Sequence, residues 1–287
     1  MALYRETLSI AGIRMAVESE LEFRLADRCC FFRAEFYRPD VTFRLLAADS
    51  FAPNGMECLF QNDKRAMFRR ENQLFHMRYD AERKGAVRWY AVQSDAEPQL
   101  IRVHIIARDT LQGVNPLIFV DLSGFMIQRD AMVLHSSLIQ CEDRGIVFTA
   151  PSGTGKSTQA DLWHKYRGAD ILNGDRSILR READGYRAYG SPYAGSSSIY
   201  RNESTRLTAV VVLRQAKQNR LRRLNTREAY LSLLSEMSLS PISRDTVDLQ
   251  SKWLLEMIGA VPVYLLECLP DEGAVALLYD EWRKNCD

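Results

Sequence analysis

The sequence predicts an α/β protein, a smaller β-rich domain at 1–112 followed by an α/β domain at 113–287. Three observations carry that expectation. Short apolar segments with alternating charge crowd the first third of the chain; an apolar strand runs straight into SGTGKST at 152–158 and then into a helix; strand and helix patterns alternate from there to the end. Runs of strands followed by alternating elements separate into layers in this way.

Segments 31–36, 41–46, 66–69, 74–79, 87–92 and 100–106 are rich in aromatic and β-branched residues, and several alternate as half-buried strands do. AMFRRENQLFHMRY reads as a hairpin turning at Glu71-Asn72. His76 and His104 fall inside strand patterns, and a core or strand-face role is the expectation for both. Near Asn115-Pro116 the pattern changes, and LIFVDLSGFMIQ suits a short apolar helix despite Gly124. The run 132–140, the polar turn CEDR and the run 145–149 form an antiparallel hairpin; 157–166 is a helix ended by Gly168, and 169–172 a strand. Next come a buried strand at 208–213 and a helix REAYLSLLSEM capped by Asn225 with Glu228. A helix at 244–258, a strand at 262–269 and a helix at 273–283 complete the pattern, the last with Ala274, Leu277, Leu278 and Trp282 on one side.

Composition narrows the function classes. A chain of 287 residues holds one large domain or two modest ones. Its net charge of +1 suggests neither a nucleic-acid partner nor a membrane surface. The longest apolar runs, 209–213 and 261–266, fall far short of the about 20 residues that span a bilayer. MALYRETLSI lacks a basic segment followed by an apolar one, so no secretory signal is expected in it. The six cysteines show no C-x-x-C pair and the four histidines are scattered, so no zinc site is expected. Reduced thiols in a cytoplasmic protein is the expectation.

The stretch 150–157, APSGTGKS, is a nucleotide-phosphate loop in which Ala150 occupies the position of the first glycine. Gly153 and Gly155 let the backbone wrap until several amide hydrogens point inward at a helix start, beside Ser152 and Thr154. Lys156 supplies a mobile positive charge for the β- and γ-phosphates. The Ser157 hydroxyl reaches Mg²⁺, with Thr158 behind it. Asp175, in NGDRS after the next strand, accepts Mg²⁺ or the proton of an attacking hydroxyl. An aspartate in an Asn-Gly turn is the alternative reading of the same residue. The loop GSPYAGSSS at 190–198 offers the hydroxyls of Ser196 to Ser198 near the γ-phosphate or is an ordinary surface loop, and Arg176 and Arg201 stabilise transferred charge or face water. The cluster Arg220, Arg222 and Arg223 reads as an exposed strand end.

His135 in MVLHSSLIQ, the hairpin return, Ser152 to Ser157 and Asp175 together resemble the HPr kinase/phosphorylase family, which has a His on a strand, an S-G-x-G-K-S loop and a strand ending in acidic residues. The spacing of His135 from Lys156 matches as well, and the resemblance covers about 130–200. It implies a P-loop domain of the type shared by HPr kinase and phosphoenolpyruvate carboxykinase. The family's pair of aspartates is reduced here to Gly174-Asp175, and AYGSPYAGSSS stands where its E-I-R-G signature would be. The diverged HPr-kinase-like proteins, some of which phosphorylate lasso-peptide precursors, look more similar.

The resemblance therefore implies an ATP- and Mg²⁺-dependent kinase acting on a Ser or Thr hydroxyl of a peptide or protein. Lys156 sits on the phosphates, Ser157 and Asp175 on the metal, and His135 near the γ-phosphate; the β-rich domain recognises the acceptor. A small-molecule kinase, for instance on a free hydroxy amino acid, and a nucleotide-binding module without turnover stay open. So do ATP, GTP or pyrophosphate as donor, and the oligomeric state.

Overall fold

The computed structural model describes residues 3–195 and 197–284. The chain divides into two compact units, Met1–Phe125 with Ser240–Arg244, and Met126–Leu239 with Asp245–Asp287. Each carries one large sheet.

The first unit is a single eight-stranded sheet. Its strands are β1 (Tyr4–Ile10), β2 (Ile13–Ser19), β3 (Val41–Ala47), β4 (Glu57–Gln61), β5 (Arg65–Arg70), β6 (Gln73–Tyr79), β7 (Val87–Ser94) and β8 (Leu100–Ile105). They lie in the order β1-β2-β3-β8-β7-β6-β5-β4, with β3 parallel to both β2 and β8 and the other pairs antiparallel. Two-residue turns close two of the hairpins: Ala11-Gly12, with φ of +52° and +72°, and Glu71-Asn72, as the sequence predicts. His76 is buried edge-on against Trp89, and His104 stacks on Tyr90, so both histidines belong to strand faces.

Two expectations change here. Segment 31–36 is not a strand. It follows the four-residue helix α1 (Asp27–Cys30) and meets β1 through one bridge, Leu8 with Arg33. Phe32 anchors it in the core while Phe31 faces solvent, so the aromatic content reflects anchoring rather than a ladder. LIFVDLSGFMIQ is broken as well, into a 3₁₀ turn at Pro116–Phe119 and the helix α2 (Leu122–Ile127). The buried Asp121 carboxylate causes the break, because it accepts a hydrogen bond from Gly124 N at 3.0 Å and so starts a new helix. Gly124 is required there, since a Cβ would lie 2.6 Å from that carboxylate.

The second unit holds β9 (Ala131–Cys141), β10 (Arg144–Thr149), β11 (Asp170–Asn173), β12 (Arg176–Glu182), β13 (Gly185–Tyr189), β14 (Ser204–Gln215), β15 (Arg220–Arg223) and β16 (Val263–Cys268). The sheet order is β10-β9-β12-β13-β14-β16-β15, and β10 also pairs β14, so the pairings run round a ring of five strands. Strands β10, β14 and β16 are mutually parallel along their pairs and bury both faces. Their side chains alternate between two cores. Ile146, Phe148, Ala209, Val211, Tyr264 and Leu266 meet α3 (Lys156–Arg167) and α6 (Glu272–Lys284); Val147, Val210, Val263 and Leu265 meet α4 (Thr226–Leu234) and α5 (Arg244–Ala260). Trp163 and Trp282 pack edge to face between α3 and α6, with centroids 6.0 Å apart. Asn225 and Glu228 form the expected capping box on α4.

Among the described residues no helix is long and apolar enough to cross a membrane. Cys29, Cys30, Cys58, Cys141 and Cys268 are free thiols, and Cys286 lies outside the described residues.

Candidate functional site

The parallel trio β10, β14 and β16 fixes where a ligand can sit, because crossovers leave the carboxyl ends of such strands open. Strand β10 ends at Thr149, and the chain turns through Ala150–Gly155 into α3. Gly153 and Gly155 take φ of +79° and +114°, and a Cβ at either would meet nothing within 4 Å. The backbone conformation, not crowding, demands glycine at both. The first turn of α3 has no side-chain cap, so its amide hydrogens face the loop's concavity. Ser152, Ser157 and Thr158 are exposed, and Thr154 is half-buried with its carbonyl accepting from Gln215 Nε2. Lys156 is 7% exposed, and its Nζ donates to the carbonyls of Ala150 at 2.8 Å and Pro151 at 3.4 Å. Burial lowers the Lys156 pKa, opposed by the charges of Glu236 and Asp175 nearby. Amide donors, a buried ammonium and a hydroxyl at a helix start are the chemistry that suits a polyphosphate.

His135 lies on β9, the neighbour of β10, and the Thr149 hydroxyl donates to its carbonyl at 2.9 Å. Its ring stands between two carboxylates: Nδ1 is 3.1 Å from Glu236 Oε2 and Nε2 is 3.8 Å from Asp175 Oδ1. The main chain braces the same group, with His135 N donating to Glu236 O at 3.0 Å and Ser136 N to Asp175 O at 2.8 Å. Glu236 is the most enclosed of the three, its side chain 10% exposed against 29% for His135 and for Asp175. Sequence reasoning missed Glu236. It falls in the turn just after α4, 101 positions from His135, and the bridge between Leu134 and Met237 brings the two segments together.

Asp175 is set by Asn173, a fully buried residue whose role the NGD pattern did not disclose. Its side-chain oxygen accepts from the amides of Asp175 at 3.0 Å and Arg176 at 2.8 Å. Its Nδ2 donates to the carbonyls of Ser191 at 3.1 Å and Tyr193 at 2.9 Å. One amide side chain thus shapes the aspartate turn and ties the GSPYAG segment onto it. That segment is packed rather than loose: Ser191 and Ala194 are fully buried, and a Cβ on Gly195 would lie 2.9 Å from the Asp175 carboxyl carbon. A Cβ on Gly174 would lie 1.9 Å from Ser197 Oγ, so with the loop seated this way a second aspartate has no room. Ser196 lies outside the described residues, and the Ser197 hydroxyl donates to Ala194 O at 2.7 Å.

The arginines separate. Arg176 Nε is 3.7 Å from Asp175 and its guanidinium lies over the Tyr193 ring, at the site. Arg201 pairs with Asp170 at 3.3 Å and Glu203 at 3.9 Å, at exposed positions. Arg220, Arg222 and Arg223 form β15, where Arg222 makes a two-pronged ion pair with Glu228 at 2.9 Å. Beside the loop opens a cleft of about 760 Å³, lined by residues 150–154, the end of β14, Leu265 of β16, α4 and the turn that follows it as far as Glu236.

Among the described residues no group of three or more His, Cys, Asp or Glu side chains is arranged to hold a metal. A cation held here would be shared between Ser157, Asp175 and ligand phosphates, an arrangement common for Mg²⁺.

No protein-family model matches the chain, and no curated protein matches it. Among solved structures it is similar to the HPr(Ser) kinase/phosphatase from Coxiella burnetii, with 12% identity and a TM-score of 0.33 over 53% of this chain and 95% of that one.

Proposed function

We propose that the chain is an ATP- and Mg²⁺-dependent kinase that transfers a γ-phosphoryl group to a serine or threonine hydroxyl of a peptide or protein, in the cytoplasm. One observation supports this above the others: His135, Asp175 and Glu236 converge at the mouth of a phosphate loop whose lysine feels two of those carboxylates. Carboxylates and an imidazole beside a polyphosphate cradle are what phosphoryl transfer to a hydroxyl requires.

In this reading residues 152–158 hold the triphosphate, with Lys156 turned from its own loop carbonyls onto the phosphate oxygens. Ser157 and Asp175 would hold Mg²⁺, which neutralises phosphate charge when bound. Asp175 takes the proton of the acceptor hydroxyl as its oxygen bonds to the γ-phosphorus and the bond to the β-bridging oxygen breaks, leaving ADP. His135, fixed by Glu236 on Nδ1, directs Nε2 toward Asp175 and orients it. Arg176, beside Asp175, adds positive charge. Alignment and charge account for most of the rate in such a reaction. The β-rich domain at 1–112 recognises the acceptor.

The test is incubation of the full chain with labelled ATP, Mg²⁺ and peptides encoded beside its gene, read by mass spectrometry. A phosphoryl group on Ser or Thr of one peptide, lost with Lys156→Ala, is the expected result. Undiminished transfer by Lys156→Ala overturns it. Binding of ATP with no transfer to any acceptor leaves a nucleotide-binding module.

A further inference from the structure

The phosphate loop is one wall of a cleft whose other walls, Glu236 at the His135 end apart, take no part in the reaction just described. We infer that this cleft binds the purine nucleoside end of the donor, with Leu231, Leu224, Val212 and Leu265 as its apolar contacts. The inference rests on the phosphate-loop reading and extends it to the half of the ligand that does no chemistry.

Three features point there. The first is direction. Strand β10 delivers the loop, His135 and Asp175 lie on its β9 side, and the cleft is built by β14 and β16 on its other side. A triphosphate lying along residues 152–157 with its reacting end at Asp175 carries its other end over β14. The second is surface. Leu224 and Leu265 are buried in the cleft wall, whereas Leu231, on α4, is 57% exposed and leaves a large apolar side chain in water at the lip. A flat heteroaromatic ring laid on Leu231 removes that area from solvent. The third is polarity. Both arginines that line the far end are held in ion pairs, Arg222 with Glu228 and Arg214 with Glu267, while the Gln215 amide and the hydroxyls of Ser232 and Ser235 present neutral donors and acceptors. A neutral base edge satisfies such groups; an acidic acceptor or a second phosphate does not. The volume of about 760 Å³ falls within the usual range for small-molecule sites.

Calorimetric titration of the full chain with Mg²⁺ and either ATP or inorganic tripolyphosphate separates the two halves of the site. ATP is expected to bind at least ~10-fold more tightly than tripolyphosphate. Leu231→Gln is expected to weaken ATP roughly fivefold, and Ser235→Trp, whose ring fills the cleft, by more; neither is expected to move tripolyphosphate. Both positions are exposed, so the variants should melt as the parent does. Equal affinity for ATP and tripolyphosphate, or ATP affinity unchanged in both variants, overturns the nucleoside cleft and leaves the phosphate loop standing. Binding of neither ligand overturns the phosphate loop and the cleft with it.

Discussion

Nδ1 of His135 lies 3.1 Å from the Glu236 carboxylate, on the ring edge opposite the one that faces Asp175. A carboxylate on one imidazole nitrogen selects the tautomer that protonates it and aims the other nitrogen. Glu236→Gln keeps an acceptor in place but loses the charge, and Glu236→Ala loses both. Steady-state kinetics should show kcat reduced roughly tenfold in the first variant and about 10²-fold in the second, with KM for ATP unchanged in each. A rise in KM with kcat intact would make Glu236 part of the binding surface rather than a positioning residue for His135.

Lys156 gives a sharper division between binding and folding. Its ammonium is buried and donates to loop carbonyls at 2.8 and 3.4 Å, while its stem packs at the start of α3. Lys156→Met keeps the stem and removes the charge. Loss of charge-assisted bonds to phosphate should weaken ATP by about 10²-fold or more, with a melting temperature equal to or above the parent's because a buried charge has gone. Unchanged ATP affinity by calorimetry would remove Lys156 from the site.

Asp175 and Gly190 test the turn from both ends. Asp175→Asn should bind ATP within a fewfold of the parent, yet transfer phosphate at least about 10²-fold more slowly, since an amide takes up no proton. Gly190→Ala acts on stability instead. A Cβ there would lie 2.0 Å from the carbonyl oxygen of Arg201, a backbone atom held by the bond from Arg201 N to Leu172 O. Overpacking against backbone should cost roughly 2 kcal/mol or more in denaturant unfolding. A neutral Gly190→Ala would mean that the GSPYAG segment moves freely, contrary to its seating on Asn173.

The parts legible in the sequence are those whose physics is local. SGTGKST between an apolar strand and a helix, the Asn225 cap and the Glu71-Asn72 turn each depend on neighbouring residues, and each stands in the structure as expected. Glu236 and Asn173 depend on distant partners. A glutamate in SEMSLS looks like any solvated residue until the bridge from Leu134 to Met237 carries it to His135. Segment 31–36 misleads for the converse reason: its local pattern suits a strand, but the backbone partners it needs are mostly absent. The break in LIFVDLSGFMIQ turns on Asp121, a charged residue whose burial and capping bond no window of hydrophobicity reveals.

His76 makes the stability of the first unit depend on pH. The ring is buried on β6 against Trp89, and burial, aided by the charge of Arg65, pushes its pKa down to about 4. In the unfolded chain a histidine titrates near ~6.5. Between those values the unfolded state binds a proton that the native state refuses, so stability falls as pH drops through ~6.5 and levels off below about 4. The full effect is at most about 3 kcal/mol, at 1.36 kcal/mol for each pKa unit. His76→Phe preserves an aromatic ring and removes the titration, so carboxylates elsewhere contribute equally to both proteins. Urea unfolding from pH 7.5 to 4.5 should show the parent losing more stability than His76→Phe, the gap opening below pH ~6.5. Parallel curves across that range would mean that the native fold admits the proton at His76, which a ring so enclosed should not do.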